Sequence, residues 1–417
     1  MNRAVLAVDI GTSSLKAALI GPDGAILASS RCRFPDTRRS GSDWALALSD
    51  AVTILSPGSS LAAVSISGNG PTLASVTPSD GSGATLLWNE PLARPYGGES
   101  LFIPRLLEYR NRFPEDWDSA KYVLSGPEWL VWALTGEAVT VLPEARYERA
   151  YWTPGELAAA GLSAEKLAPY VPAGALIGRT GSGPASDSIP LPPGIPVVSG
   201  GPDFFVALVG TGTIEPGVGC DRAGTSEGLN LCTAFPTPAP GVRVLPGVLG
   251  ERWNASCLLP DTGAIFHEWR KASGQAGRSY PEIMREILAS DIRPRHGQAP
   301  HPGRVVVEEI GFTVREAAET LRAATGFRPA WRLSGGQARN DQWNAMKADI
   351  TGEAFELTDT PDGELMGDAA LAFAAIGEYA SIDEAARSMV NIKKRYEPNP
   401  VRAREYGEKY LEWKDNR

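Results

Sequence analysis

Two apolar runs of strand length open the chain, and a short turn of small polar residues joins them. The runs cover residues 4–10 and 15–20, and the turn between them reads Gly-Thr-Ser-Ser. Continuous apolar runs of this length, bounded by a turn, are typical of buried β-strands. A Gly-Pro-Asp-Gly turn at residues 21–24 then leads into a third strand, at residues 25–30. The chain therefore opens with three antiparallel strands.

Helical and strand-like segments alternate after this opening. Ser42 is placed to cap a helix at residues 43–55, which Pro57-Gly58 ends, and residues 61–66 form a further strand. Three antiparallel strands, a helix and another strand predict an α/β fold. Helices follow at residues 102–113 and 127–134.

The second half of the chain partly repeats this pattern. Residues 178–196 are dense in Gly, Pro and Ser and form the best linker candidate. The repetition is too weak to count as a sequence repeat, but it predicts two similar α/β lobes, at residues 1–194 and 195–417. The elements predicted for the second lobe are strands at 197–199 and 331–333 and helices at 338–350, 368–376, 382–390 and 402–414.

Composition narrows the classes of partner. The chain has 40 Lys plus Arg against 49 Asp plus Glu, a net charge of −9, so it repels phosphate backbones at long range and nucleic acid is a poor candidate. No run approaches the roughly 20 apolar residues of a membrane span, and no signal peptide is recognisable. The cysteines lack a C-x-x-C pair and the histidines lack metal-ligand spacing. We expect a cytoplasmic protein with no membrane partner.

The first candidate site is the turn that follows the opening strand. Gly11, Thr12 and Ser13 are small enough for backbone N–H groups to cradle a phosphate, and Lys16 adds positive charge. Asp9 could hold Mg²⁺, since hard cations prefer carboxylate oxygen. An ordinary hairpin with a polar tip is the alternative, but a carboxylate that closes so apolar a strand calls for a partner.

Three further turns could bind or act on a ligand. Asp203 follows Ser-Gly-Gly-Pro and precedes an apolar run, where it could accept a proton from a hydroxyl or simply cap a helix, and taken alone capping is favoured. Gly224 and Thr225 lie in a small turn that suits phosphate. Gly335 and Gly336 lie between a strand and a helix, which suits a nucleotide as well as a plain tight turn.

Four glycine-containing turns in this order resemble the FGGY family of carbohydrate kinases, which belongs to the actin, Hsp70 and sugar-kinase superfamily. The resemblance covers most of the chain. It implies two ribonuclease H-like lobes with a nucleotide cleft between them. The segments that carry it are DIGTSSLKAALI, SGGPDFFVALVGTG, AGTSE, LSGGQARNDQWNAMKADITG, VLSGPEWLVWALTGE, GDAALAFAAIGEY and YEPNP.

The resemblance also implies an activity, cofactors and roles for individual residues. The expected reaction is ATP-dependent phosphorylation of a sugar, with Asp203 as general base and Asp9 positioning Mg²⁺. Capping by Asp203 is compatible with that role. Gln337 stands where relatives commonly have Gly or Ala, which implies a reshaped nucleotide pocket. The residues expected to bind ATP are Gly11, Thr12, Ser13, Lys16, Gly224, Thr225, Gly335, Gly336 and Asn340.

The substrate segments depart from those of the named relatives. Pro71-Thr72 stands where glycerol kinases have Arg-Glu, the Met-His of xylulokinases is missing, and LLWNEPLAR has Glu90 in place of the Asp in W-x-D-x-R. We expect a small-molecule sugar as partner, an open-chain pentulose such as D-xylulose or D-ribulose, and a possible homodimer. A polyol or triose kinase and a non-catalytic nucleotide switch are the alternatives. Candidate pocket residues, each equally interpretable as a loop or packing residue, are Asn69, Trp88, Glu90 and Glu144.

Overall fold

The computed structural model describes residues 3–35, 40–77, 83–224, 226–294 and 298–417. The chain divides into two compact units. The first comprises Met1–Gly210 and Gly363–Val390, and the second comprises Thr211–Asp362 and Asn391–Arg417. No helix in the described part of the chain is both long enough and apolar enough to span a membrane.

The strands of the described residues fall into the two units without overlap. The first unit contains β1 (Ala4–Ile10), β2 (Ser14–Ile20), β3 (Ile26–Arg33), β4 (Leu61–Gly68), β5 (Leu73–Val76), β6 (Thr85–Leu86), β7 (Tyr122–Ser125), β8 (Thr140–Leu142), β9 (Tyr170–Pro172), β10 (Leu176–Arg179) and β11 (Pro196–Pro202). The second contains β12 (Gly219–Ala223), β13 (Glu227–Thr233), β14 (Arg243–Pro246), β15 (Trp253–Leu259), β16 (Trp331–Ser334), β17 (Phe355–Thr358) and β18 (Ile392–Tyr396).

The helices alternate with these strands, as an α/β fold requires. In chain order they are α1 (Gly41–Leu55), α2 (Ile103–Arg112), α3 (Pro114–Ser119), α4 (Gly126–Thr135), α5 (Glu148–Tyr151), α6 (Pro154–Ala159), α7 (Asp203–Gly210), α8 (Thr262–Ala272), α9 (Tyr280–Ala289), α10 (Pro302–Thr325), α11 (Asp341–Thr351), α12 (Gly363–Ala375), α13 (Ile382–Met389) and α14 (Pro400–Asp415). Short 3₁₀ turns cover Gly58–Ser60, Ala145–Tyr147, Ala164–Lys166 and Gly336–Arg339.

The first unit is built on a six-stranded mixed sheet with the order β10-β11-β4-β1-β2-β3. β1, β2 and β3 form the predicted antiparallel meander, whereas β4 and β11 run parallel to β1. Every residue of β1 is buried, because this strand is central in the sheet and both of its faces are covered. The continuous apolar run that opens the sequence is therefore explained by its central position.

The second unit repeats this arrangement in a seven-stranded sheet with the order β14-β15-β13-β12-β16-β17-β18. β12, β13 and β15 are antiparallel, and β16 and β17 follow in parallel to β12. These five strands correspond in order and direction to β1, β2, β3, β4 and β11. The predicted fold class, two lobes of one ribonuclease H-like type, is confirmed.

The division of the chain differs from the predicted boundary at residue 194. Residues 178–196 do not link two units, because β10 and β11 pair with each other in the first sheet and β11 also pairs with β4. Thr180 holds the intervening loop closed: its side chain donates to the Pro192 carbonyl at 2.6 Å and accepts from the Ile195 N–H at 3.0 Å. The first unit therefore extends to Gly210 and includes Asp203.

The alanine-rich helices α12 and α13 belong to the first unit, although the sequence pattern assigned them to the second lobe. α12 packs against α7 so closely that a Cβ on Gly367 would lie 1.9 Å from the Val206 carbonyl oxygen. A Cβ on Gly210 would likewise lie 1.9 Å from the Gly363 carbonyl oxygen. Glycine at these positions allows the two helix backbones to touch.

Two helix starts also differ from the predicted ones. Ser40, not Ser42, caps α1, because the Asp43 carboxylate accepts from the Ser40 N–H at 2.8 Å in a capping box. The helix predicted at residues 338–350 is split. Asn340 ends the 3₁₀ turn and caps α11 by accepting from the N–H groups of Gln342 and Trp343, each at 3.1 Å.

Candidate active site

Three parallel strands of the first unit end at one edge of the sheet. In the register of β1, β4 and β11, Asp9 lies beside Ser67, and Ser67 lies beside Gly201. Helix α7 begins at Asp203, directly after β11. Carboxyl ends of parallel strands are the usual position of ligand sites in α/β sheets. Asp9 and Asp203, singled out from separate motifs, thus lie at the same edge.

Asp9 is a buried carboxylate in a group of like charges. Its Oδ2 lies 3.1 Å from the Lys16 ammonium, which also lies 3.9 Å from the Glu364 carboxylate. Burial raises the pKa of Asp9 from 3.8 to about 7; Lys16 lowers it, while the charges of Glu364 and Asp203 raise it further. Asp9 Oδ1 is buried and accepts no hydrogen bond from the described residues. An oxygen of this kind, beside excess negative charge, suits a cation.

Two carboxylates of α12 were missed as site residues. Glu364 lies near Lys16, and Asp368 accepts hydrogen bonds from the Ser65 and Ser67 hydroxyls at 2.9 and 2.6 Å. Burial raises the pKa of Asp368 well above its ordinary value, and the charges of Asp9 and Glu364 add to the effect. An acidic residue inside an alanine-rich apolar run was the available signal, because a buried charge needs partners.

The predicted phosphate turn is an ordered hairpin tip that reaches solvent. The Gly11 N–H donates to the Ser14 carbonyl and the Phe34 N–H donates to the Ser13 carbonyl, each at 3.0 Å. Gly11 and Thr12 are half-buried, and Ser13 is exposed. Lys16 follows two residues into β2, opposite Asp9 in the strand register. The turn therefore combines an accessible tip with a nearby cation.

Two of the predicted substrate residues contact this turn. Thr12 Oγ1 accepts from Asn69 Nδ2 at 2.8 Å and from the Trp88 indole N–H at 3.0 Å. The Thr72 hydroxyl joins them, since it donates to Asn69 Oδ1 at 3.1 Å and accepts from the Trp88 backbone N–H at 3.1 Å. Trp88 keeps 40% of its surface exposed. The loop with Asn69 and Thr72, the loop with Trp88 and the phosphate turn are therefore connected by hydrogen bonds.

The other two predicted substrate residues make contacts that stabilise their own loops. Glu90 accepts from the Leu87 N–H at 2.9 Å and pairs with Arg112 at 2.6 Å. Glu144 accepts from the backbone and guanidinium of Arg146, at 3.2 and 2.8 Å. Their carboxylates are already occupied, which favours the structural interpretation that the sequence left open.

In the second unit, two of the predicted turns contact each other. Gly335 has φ +92°, and a Cβ there would lie 2.4 Å from the Ala223 carbonyl oxygen, one residue before Gly224. The Gly224 N–H donates to the Ser226 carbonyl at 2.8 Å. Thr225 lies outside the described residues. Gly336 is exposed, and a Cβ there would meet nothing within 4 Å. Only Gly335 is required by the close approach of the two turns.

The polar side chains around these turns are engaged within the second unit. The side-chain oxygen Oδ1 of Asn340 caps α11, while the Gln337 side chain donates to the Gly224 carbonyl at 2.9 Å. Beneath the turn, the Lys347 ammonium contacts the carboxylates of Asp221 and Glu227, all three fully buried. Burial raises the pKa of Asp221 well above its ordinary value, and Glu227 adds to this. This buried triad was not predicted.

Comparison with known proteins gives the class of the molecule. No family model matches the chain. A xylulose kinase of Lactococcus lactis is 24% identical over 492 residues, covering 98% of this chain and 95% of that protein. The gluconate kinase of Lactobacillus acidophilus is 17% identical with a TM-score of 0.84, covering 100% of this chain and 98% of the other. Plasmodium falciparum glycerol kinase, solved with ADP, is 13% identical with a TM-score of 0.78, covering 100% and 98%.

The two solved structures establish the fold, and the curated relative adds sequence similarity over 98% of the chain. Sugar kinases are therefore the class of proteins to which this chain is similar in sequence and in fold. The resemblance to the FGGY family of carbohydrate kinases, predicted from the motifs, is confirmed.

Proposed function

We propose that the protein transfers the γ-phosphoryl group of ATP to a hydroxyl of an open-chain sugar, with D-xylulose or D-ribulose as the best acceptor. One observation carries the proposal: Asp203 begins a helix at the sheet edge where Asp9 and the phosphate turn also lie. A base, a cation-binding carboxylate and a phosphate cradle are the components that phosphoryl transfer needs.

Asp203 acts as the general base in this proposal. Its carboxylate takes the proton of the sugar hydroxyl as that oxygen bonds to the γ-phosphorus, and the bond from the γ-phosphorus to the bridging oxygen of ADP breaks. Asp203 is the first residue of α7, where the positive end of the helix dipole favours negative charge. The partly exposed side chain is accessible to a substrate.

The phosphate turn and Asp9 act on the transferring group. Gly11, Thr12 and Ser13 would hold its oxygens and Lys16 would compensate their charge. Asp9 would hold Mg²⁺ through its buried, unpartnered Oδ1. The described residues include no group of three or more ligating side chains that could hold a metal alone. Mg²⁺ takes one or two carboxylates and completes its shell with water and substrate phosphates, whose charge it neutralises.

Residues of the second unit bind the nucleotide in this proposal. Gly224 and Thr225 would contact phosphate, while Gly335 and Gly336 would line the adenosine site, where Gly336 leaves open space. Asn340 Oδ1 is used by the helix cap, so a contact with the base would come from Nδ2.

Asn69 and Trp88 are the best-supported sugar contacts, because both already touch the phosphate turn. The exposed indole of Trp88 offers an apolar face to the C–H groups of a sugar. A pentulose is supported by the xylulose kinase relative, while the shared fold of gluconate and glycerol kinases keeps other acceptors as alternatives. A cytoplasmic location and a homodimer stay predictions.

A substrate panel tests the activity. Purified protein is assayed for ADP release with ATP, Mg²⁺ and D-xylulose, D-ribulose, gluconate, glycerol or erythritol. We expect the highest kcat/KM for one of the two pentuloses. A preference for glycerol or erythritol would select the polyol kinase instead. ATP binding without any sugar-stimulated ADP release would select the nucleotide switch.

Asp203→Asn tests the base. We expect kcat to fall by at least about 100-fold while ATP still binds, because the amide cannot accept the proton. Asp187→Asn, at an exposed position of the same unit, is the matched control and should leave kcat unchanged. Near-normal turnover of Asp203→Asn would mean that another group removes the proton.

A further inference from the structure

Gln337 lies in the turn at residues 335–339, called here the adenosine turn, and makes two hydrogen bonds, one of which joins this turn to the second phosphate turn at Gly224. Its Nε2 donates to the Gly224 carbonyl at 2.9 Å, and its Oε1 accepts from the Trp343 indole N–H at 2.9 Å. A carbonyl oxygen can only accept and an indole N–H can only donate, so one orientation of the amide satisfies both partners. Glutamine is the side chain that this pair of neighbours requires.

The two turns are also fixed to each other at their base. Gly335 lies against Ala223 in a backbone contact that excludes a side chain. Lys347 of α11 holds Asp221 of β12, and it holds Glu227 of β13 at 2.9 Å. The tip of the second phosphate turn, at Gly224, is in contrast linked to the adenosine turn by the Gln337 side chain. Loss of that link would release the tip and leave the base in place.

We propose that Gln337 is a positioning residue that fixes the distance between the second phosphate turn and the adenosine turn, which would hold the two ends of a bound nucleotide. The inference rests on the nucleotide site of the proposed function. A ligand that contacts both turns must have them ordered at one spacing, and an ordered site lowers the entropic cost of binding. A nucleoside that contacts the adenosine turn alone does not need this order. ADP and adenosine should therefore respond differently to loss of Gln337.

Two variants separate the two hydrogen bonds. Gln337→Glu keeps the shape and the acceptor for Trp343 but turns a carboxylate oxygen toward the Gly224 carbonyl. Gln337→Ala removes both bonds. Gln298→Glu makes the same charge change at an exposed position of the second unit and is the matched control. Gln337 is only half-buried, so thermal unfolding should verify that each variant is folded.

Calorimetry measures the Kd of ADP and of adenosine for each protein, and steady-state kinetics gives the sugar KM at saturating ATP. We expect the Kd of ADP to rise about five- to tenfold in both variants, the range of one lost hydrogen bond. The Kd of adenosine and the sugar KM should stay within about twofold, and Gln298→Glu should match the wild type.

Three outcomes would overturn the inference. An unchanged Kd of ADP would mean that the second phosphate turn does not need the Gln337 hydrogen bond to be positioned for the nucleotide. An equal rise for ADP and adenosine would make Gln337 a nucleoside contact or a folding residue. Absence of ADP binding by the unmodified protein would overturn the proposed nucleotide site itself, so the two failures are distinguishable.

Discussion

Lys347→Met tests what the buried triad contributes to the second unit. The side chains of Lys347, Asp221 and Glu227 have no exposure to solvent, and one ammonium serves both carboxylates. Methionine keeps the length and the apolar contacts of the lysine stem but removes its charge. Asp221 and Glu227 are then left buried without the ammonium that they share.

The expected loss of stability is large at pH 8. Removing one partner of a buried ion pair costs about 3–5 kcal/mol, because the remaining charge is uncompensated. Two carboxylates lose their partner here, so we expect about 4–5 kcal/mol. Replacing all three, as Lys347→Met with Asp221→Asn and Glu227→Gln, should recover most of it, since no buried charge remains.

The loss should also depend on pH, in a direction that the pKa of Asp221 fixes. Burial, with the charge of Glu227, already raises that pKa above its ordinary 3.8, and Lys347 opposes the rise. Without Lys347 the pKa rises further. A carboxyl whose pKa is higher in the folded than in the unfolded protein loses stability as pH rises through the folded value. Lys347→Met should therefore be less destabilised at pH 5 than at pH 8.

Equilibrium urea unfolding, followed by circular dichroism at both pH values, measures these differences. Lys393→Met, at an exposed position of the same unit, is the control and should change stability by no more than about 0.5 kcal/mol. A loss below about 1 kcal/mol for Lys347→Met at pH 8, or an equal loss at both pH values, would refute the reasoning.

The other predictions concern single sites. In metal-free protein, the free energy of unfolding of Asp9→Asn should rise relative to that of the wild type by up to about 4 kcal/mol between pH 4 and pH 8, because only the wild type must ionise a carboxyl whose pKa is raised to about 7. Urea unfolding in the presence of a chelator measures this difference. A difference that does not change with pH would contradict the prediction. Gly367→Ala should lose about 2–3 kcal/mol, since its Cβ meets the Val206 carbonyl at 1.9 Å. Gly407→Ala in α14, with its nearest neighbour at 3.8 Å, should instead gain up to about 1 kcal/mol, and thermal unfolding of both glycine variants would expose an error if they behaved alike.

Local patterns predicted the elements and the turns of this protein well. The strand at Ala4–Ile10 and the helix that begins after Pro202 were both predicted from an apolar run and the turn residues next to it in the chain. Asp9 and Asp203 were found for the same reason, because each is a charged residue at one end of an apolar run: Asp9 closes its run, and Asp203 comes directly before its run. In the structure both residues lie at the same edge of the sheet.

Long-range pairing could not be predicted in the same way. The sequence of residues 178–196 does not predict that β10 and β11 pair in one sheet, since strand partners are determined by burial across the whole unit. The return of α12 to the first unit depends on a backbone contact between Gly367 and Val206, residues far apart in the chain. Glu364 was missed with it, because its closeness to Lys16 exists only after that return.

The return of α12 has a consequence for biosynthesis. The helix that carries Asp203 is complete by residue 210, but its packing partner is encoded only after residue 362. A ribosome must therefore deliver the whole stretch 211–362 before the first unit can close around α7. During that interval the apolar face that α12 covers in the folded protein stays exposed. A nascent chain truncated there would keep this hydrophobic surface available to chaperones or to aggregation.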